Sequence, residues 1–285
     1  MSTGTIPDIY IKDGKLVSSV TDPDVKNAII AAKRFVDAGI MDPELLGNTG
    51  PQILQDKAFQ GKVGIVRIGW SDFMKDEHTA MAKAGNPKAR WVPLHVPNAG
   101  NGKALNGIWQ VGTAPHMFAI PATLAKDPVK LNAVYRLLDY VSEPEGNLLV
   151  QYGIEGTHFR LNNNKVEKIN DNAWADIGHV WLYQFVGRVD EMGYLGIRFP
   201  NQTDIIAFAN NEPRIRGLNG YVDFPEGFVA SDAATFAEEE LIKFIYGQRS
   251  IEEYDSFVNT LLNLYNFKAY MDKANTQLKA LGLLK

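Results

Sequence analysis

Two Asp-Pro pairs, each followed by apolar residues at helical spacing, constrain the fold of this chain more than any other feature. Asp22 offers a side-chain acceptor to the open N–H groups of a first helical turn, and Pro23 carries the fixed φ that such a turn needs. Val25, Ile29, Ala32, Phe35 and Val36 then recur three and four apart until Gly39 ends the run, which predicts a helix. Asp127-Pro128 repeats the arrangement, with Leu131, Val134, Tyr135, Leu138 and Val141 on one face. Ser142 with Glu145 reads as a capping box for a second helix ending near Gly153. Asp42-Pro43 opens a shorter turn, and Gln52 to Phe59 reads as a helix before Gly61. Near the end of the chain, Ala233 to Tyr246, Ile251 to Leu264 and Phe267 to Leu281 are helical, divided by Gly247 and the Tyr265-Asn266 junction.

Between these helices lie short β-branched segments. Lys62 to Ile68 predicts a buried strand that delivers Gly69-Trp70-Ser71 to its end, followed by a helix over 72–83. Trp91 to Leu94 and Met117 to Ile120 read as strands around a loop from Asn98 to Gly102, and Asn162-Asn163-Asn164 reads as the turn of a β-hairpin. From Ile169 to Asn211, aromatic and polar residues alternate with no single period. Strands with intervening helices and a helical tail indicate a mixed α/β protein, and 285 residues suit one large body or two lobes.

Charge and composition narrow the function. Lys plus Arg number 29 against 33 for Asp plus Glu, a net charge of −4, so the basic excess that nucleic-acid binding requires is absent. No apolar run approaches the roughly 18–20 residues of a membrane-spanning helix. With no cysteine, thiol catalysis, disulfides and zinc-thiolate sites are excluded within this sequence. The histidines, His78, His95, His116, His158 and His179, never fall at a metal-ligand spacing, so neither metal nor cofactor is expected. Gly100-Asn-Gly-Lys103 lacks the earlier glycine and the following hydroxyl of a phosphate loop. Gly69-Trp-Ser-Asp-Phe73 has a bulky ring where a nucleophile elbow needs glycine.

The tryptophans point further. Trp70 stands beside Ser71 and Asp72, Trp109 beside Asn106 and Gln110, and Trp174, Trp181 and Tyr183 share a stretch with Asp176, His179 and Gln184. A flat ring flanked by hydrogen-bonding groups suits a pyranose, whose C–H face stacks while its hydroxyls take donors and acceptors. The competing reading is burial in the core, which suits Trp91, Trp109 and Trp174 better than Trp70.

Several blocks, in shared order, resemble one family. Asp13-Gly-Lys15 with Phe35-Val-Asp-Ala-Gly-Ile-Met-Asp-Pro-Glu44 is the first. Ala58-Phe59-Gln-Gly61-Lys-Val-Gly-Ile65 with Trp70 follows, then Leu138-Asp139-Tyr140 through Ser142-Glu-Pro-Glu-Gly146 and Tyr152-Gly-Ile-Glu-Gly-Thr-His158. Phe244-Ile-Tyr-Gly247, Tyr254-Asp255 and Phe257-Val258 close the series. Together they resemble the extracellular family-1 solute-binding proteins of bacterial ABC importers, in the lipoprotein branch that handles oligosaccharides.

The resemblance implies a type II periplasmic-binding-protein-like α/β fold, a mixed sheet with flanking helices and a helical C-terminal tail. Segment 1–67 would supply second-lobe helices and the crossing strand, 68–122 would return to the first lobe, and 123–285 would complete the second lobe. Family members carry a signal peptide, a lipid-modified cysteine and most of the first lobe before the position of Tyr10, so the chain is expected to be a C-terminal portion with its first lobe incomplete. The implied function is capture of a sugar or oligosaccharide between lobes, without catalysis, and its delivery to permease subunits outside the cytoplasmic membrane or in the periplasm. Membrane association would come only through the absent lipid anchor. The implied contact residues are Trp70, Ser71, Asp72, His116, Glu155 and His158, with Trp181 added from its aromatic-polar neighbourhood.

A sugar-active enzyme is the alternative, with a carboxylate pair drawn from Glu155, Asp171, Asp176 and Glu191. An interaction module without a small ligand is a third reading.

Overall fold

The computed structural model describes residues 7–42, 51–69, 76–96, 107–110, 118–170, 187 and 190–285. In chain order, the elements are β1 (Ile9–Lys12), β2 (Lys15–Ser18), α1 (Pro23–Asp37), α2 (Pro51–Phe59), α3 (Asp76–Gly85), β3 (Ile108–Gln110), α4 (Pro128–Ser142) and α5 (Pro144–Tyr152). They continue with β4 (Phe159–Asn162), β5 (Lys165–Lys168), α6 (Glu191–Arg198), α7 (Thr203–Asn211), β6 (Arg214–Arg216), α8 (Ala230–Ile245), α9 (Tyr254–Asn263) and α10 (Phe267–Ala280). The protein is thus mixed α/β. The chain divides into a unit formed by 1–114 and 209–285 and a second formed by 115–208.

The Asp-Pro expectations hold. Asp22 accepts the Asp24 N–H at 3.0 Å ahead of α1, and Asp127 accepts the Lys130 N–H at 3.0 Å ahead of α4. A hydrogen-bonded cap of this kind contributes about 1 kcal/mol to its helix. Gly39 and Gly61 follow α1 and α2 with φ of 68° and 75°, ending each helix in the left-handed region. The expected capping box fails, because Pro144 already occupies the first turn of α5 and Glu143 precedes it without a side-chain cap bond. Ser142 Oγ instead donates to the Leu138 carbonyl at 2.6 Å.

In the first unit, Ile9, Val20, Ile29, Phe244, Phe257, Phe267, Tyr270 and Leu278 form one buried cluster. Phe228 stacks on Tyr270 at 5.0 Å, Phe236 on Tyr265 at 4.5 Å, and Phe244 meets Phe257 edge-on at 5.7 Å. Burying side chains of this size stabilises by about 1.5–3 kcal/mol each. The β1–β2 hairpin seals one side. Its turn residue Asp13 and the neighbouring Gly14 both take positive φ.

In the second unit, α4 packs against α5, and Tyr152 sits between Phe159 at 5.8 Å and Tyr194 at 5.6 Å. Asn163 and Asn164, with φ of 49° and 62°, turn β4 into β5, as the Asn run predicts. Of the apolar face expected on α4, Val141 is buried while Tyr135 is exposed.

The strand readings of 62–68, 91–94 and 117–120 are corrected. Residues 62–68 form bends and irregular chain, Ile65 is 78 % exposed, and 91–94 and 118–120 are irregular, with Met117 outside the described residues. A β-branched run becomes a strand only where another strand accepts its hydrogen bonds, and among the described residues none pairs with these. The described strands pair two by two: β1 with β2 and β4 with β5 antiparallel, and β3 with β6 parallel.

Candidate functional site

The parallel pair β3–β6 brings together segments far apart in sequence, setting Ile108 opposite Arg214, Trp109 opposite Ile215 and Gln110 opposite Arg216. The Gly217 N–H donates to the Gln110 carbonyl at 2.7 Å, and the Leu218 N–H donates to the Ile9 carbonyl at 2.9 Å. The end of β6 is thereby tied to both β3 and β1. A Cβ on Gly217 would lie 2.5 Å from Cζ2 of Trp109, so only glycine lets the chain pass the indole this closely. Tyr10 meets the same indole edge-on, with centroids 6.1 Å apart. Among the described residues, the buried Trp109 Nε1 donor meets no acceptor.

Beside this junction lies a hollow of about 180 Å³, lined by Tyr10, Ile11, Leu218 and Leu283 and by residues 214–216. Arg214 and Arg216 are two apart on a strand, so their side chains leave the same face, and both are exposed. Each is fixed through one nitrogen. Arg214 Nη2 donates to the Ala209 carbonyl, and Arg216 Nη2 donates to the Tyr221 hydroxyl with its guanidinium 5.2 Å above the Tyr221 ring.

The surroundings are electrostatically ordered. The Tyr10 hydroxyl donates to Asp22 Oδ2 at 2.7 Å, while Lys12 Nζ contacts Asp22 at 2.7 Å and Asp24 at 2.5 Å. Burial first, and then the bond to Asp22, raises the Tyr10 phenol far above its usual range, so it stays a donor. Burial also pushes the Asp22 carboxyl up, but Lys12, the Asp24 N–H and the Tyr10 hydroxyl together hold it below 3.8. Glu212, two residues before Arg214, accepts the Val96 N–H at 2.7 Å and meets His95 Nδ1 at 2.6 Å; these bonds lower its carboxyl below the ordinary value.

Of the residues expected from sequence, Trp70, Ser71, Asp72, His116 and Trp181 lie outside the described residues, as do Asp171 and Asp176. Glu155 and His158 share the turn between α5 and β4. His158 Nδ1 accepts the Ile154 N–H at 2.8 Å, and the ring lies against Gly153, whose φ of 87° and crowded Cβ position both demand glycine. Glu155 is exposed and bridges to Phe159 through the backbone. Glu191 lies in the first turn of α6. His78 is buried and stacked on Phe59 at 4.2 Å.

Sequence reasoning missed the arginine pair. Its signal is the run Arg214-Ile-Arg216, charged residues alternating around a β-branched one as on a half-exposed strand. Among the described residues, no group of three or more His, Cys, Asp or Glu is placed to hold a metal, and no helix is long and apolar enough to cross a membrane.

No family model matches the sequence, and no curated protein does. Among solved structures, the chain is similar to the crystal structure of alginate-binding protein AlgQ2 without calcium ion, with a TM-score of 0.68 and 15 % identity over 95 % of this chain. The chain spans 58 % of the length of that protein. The likeness is one of fold: the mixed α/β architecture of this chain is similar to that of an alginate-binding protein.

Proposed function

We propose that the protein is the solute-binding subunit of an ABC importer and captures a carbohydrate-type ligand between two lobes of a type II binding-protein fold. The observation that carries this reading is the structural likeness to an alginate-binding protein over 95 % of the chain. The ordered sequence blocks from Lys12 to about Leu281 support it independently. In this reading, 1–67 and 123–285 supply the second lobe, and 68–122 returns to the first. Trp70 stacks on a sugar face, Ser71 and Asp72 hydrogen-bond its hydroxyls, and His116, Glu155, His158 and Trp181 complete the contacts. Lobe closure then delivers the solute, unaltered, to permease subunits on the outer side of the cytoplasmic membrane. A lipid anchor on a preceding segment would hold the protein there.

The test is a thermal-shift screen of the protein against neutral and acidic mono- and oligosaccharides, followed by mass analysis of the recovered sugar. A ligand that binds only the folded state raises the unfolding midpoint. The expected result is a rise with one class of saccharide and recovery of that saccharide intact. No rise with any saccharide, or shortened products, overturns the proposal.

A further inference from the structure

We propose that the hollow beside Arg214 and Arg216 is an anion subsite that takes the carboxylate of an acidic sugar residue. The inference rests on the carbohydrate-binding reading above and adds to it the charge class of the solute.

Arg214 and Arg216 leave one face of β6 and line the same hollow, and among the described residues neither forms an ion pair. Like charges two residues apart on a strand repel, so an anion placed between them relieves a cost that the free protein bears. Each arginine is anchored through a single nitrogen, to the Ala209 carbonyl or the Tyr221 hydroxyl. A guanidinium has five N–H donors in a planar fork, so each keeps most of them for a ligand while its position is already set. A planar fork matches a planar carboxylate through two parallel hydrogen bonds, which a lysine cannot reproduce.

The nearest carboxylate in sequence, Glu212, gives its oxygens to Val96 and His95; its charge also acts on Arg214 but forms no ion pair with it. The remaining lining, Tyr10, Ile11, Leu218 and Leu283, is the apolar surface against which the C–H face of a sugar ring packs. At about 180 Å³, the hollow is smaller than the 300–1,000 Å³ typical of a complete small-molecule site, so it holds one ring of the solute and not the whole.

The experiment is calorimetric titration of the protein with a galacturonate trisaccharide, a neutral glucose trisaccharide and a hexose phosphate. The variants are Arg214→Ala, Arg216→Ala, the double Arg→Lys and Tyr221→Phe. The uronate is expected to bind more tightly than the other two, to lose affinity with added salt, and to lose roughly tenfold with each alanine. The double Arg→Lys variant keeps the charge and should fall between, and Tyr221→Phe, which frees Arg216, should lose a few-fold. All variants should unfold at the temperature of the parent, since every altered group is at the surface or only loses a hydroxyl.

Uronate affinity unchanged in both alanine variants overturns the site. Neutral sugar bound as tightly as uronate, or the phosphate bound more tightly, overturns the charge class while leaving the carbohydrate reading intact. Absence of binding by every saccharide overturns both.

Discussion

Asp22 caps α1, accepts the Tyr10 phenol and neutralises Lys12, all with a side chain only 3 % exposed. The Asn variant keeps the shape and one acceptor oxygen but leaves Lys12 with only Asp24, so Asp22→Asn should destabilise the protein by about 1–3 kcal/mol at neutral pH. The folded-state carboxyl lies below its ordinary 3.8. Its contribution is therefore complete above 3.8 and disappears as pH falls through the lowered value. Urea unfolding across the acid range should show the parent and the variant converging at low pH. A constant gap at every pH would mean that the charge contributes nothing. At the same scale, Gly153 and His158 fit together: a Cβ at Gly153 would lie 2.6 Å from His158 Nδ1 and also require a positive φ. Gly153→Ala should cost about 1–3 kcal/mol and shift the His158 ring resonances, and retention of both parent stability and parent resonances would count against the fit.

At the scale of elements, the features legible in the sequence were those that a segment decides by itself. Asp-Pro at 22–23 and 127–128, glycine after α1 and α2, and the Asn163-Asn164 turn each satisfy their own backbone groups within a few residues. Strands depend on distant partners. The three-residue runs at β3 and β6 carry at most the short alternation of Arg214-Ile-Arg216, yet they pair, whereas the longer β-branched run at 62–68 finds no partner among the described residues and stays irregular. The arginine hollow was illegible for the same reason, since it exists only where β1, β6 and the C-terminal Leu283 meet. Glu155 and His158, expected as contact residues, share the turn after α5, and the bond from the Ile154 N–H to His158 Nδ1 within it could not be read from spacing. The helices α8, α9 and α10 can be tested as one packed layer. Leu278, fully buried on α10, should cost about 2–5 kcal/mol when replaced by alanine, and a loss below 1 kcal/mol would mean that the layer closes over the gap.

For the whole molecule, the first unit is built from two stretches of chain separated by the second unit. The Tyr254 hydroxyl donates to the Val20 carbonyl across 234 positions of sequence, and Asn219 accepts from Ile9 across 210. Contacts so remote in sequence make closure of this unit slow, because the loop between them must be drawn in before any contact is rewarded. Amides of β1 and of α9 should consequently exchange hydrogen with one shared opening free energy; two distinct values would show that hairpin and helices open separately. During synthesis, β1 and β2 leave the ribosome some 250 codons before their partners on α10 are translated. Until α8, α9 and α10 follow, Ile9, Val20 and Ile29 lack the residues of the cluster that buries them. A holding chaperone that binds apolar segments therefore has a long opportunity at β1 and β2, and a premature stop after the second unit would release a chain whose β1–β2 hairpin lacks α8, α9 and α10 to close upon.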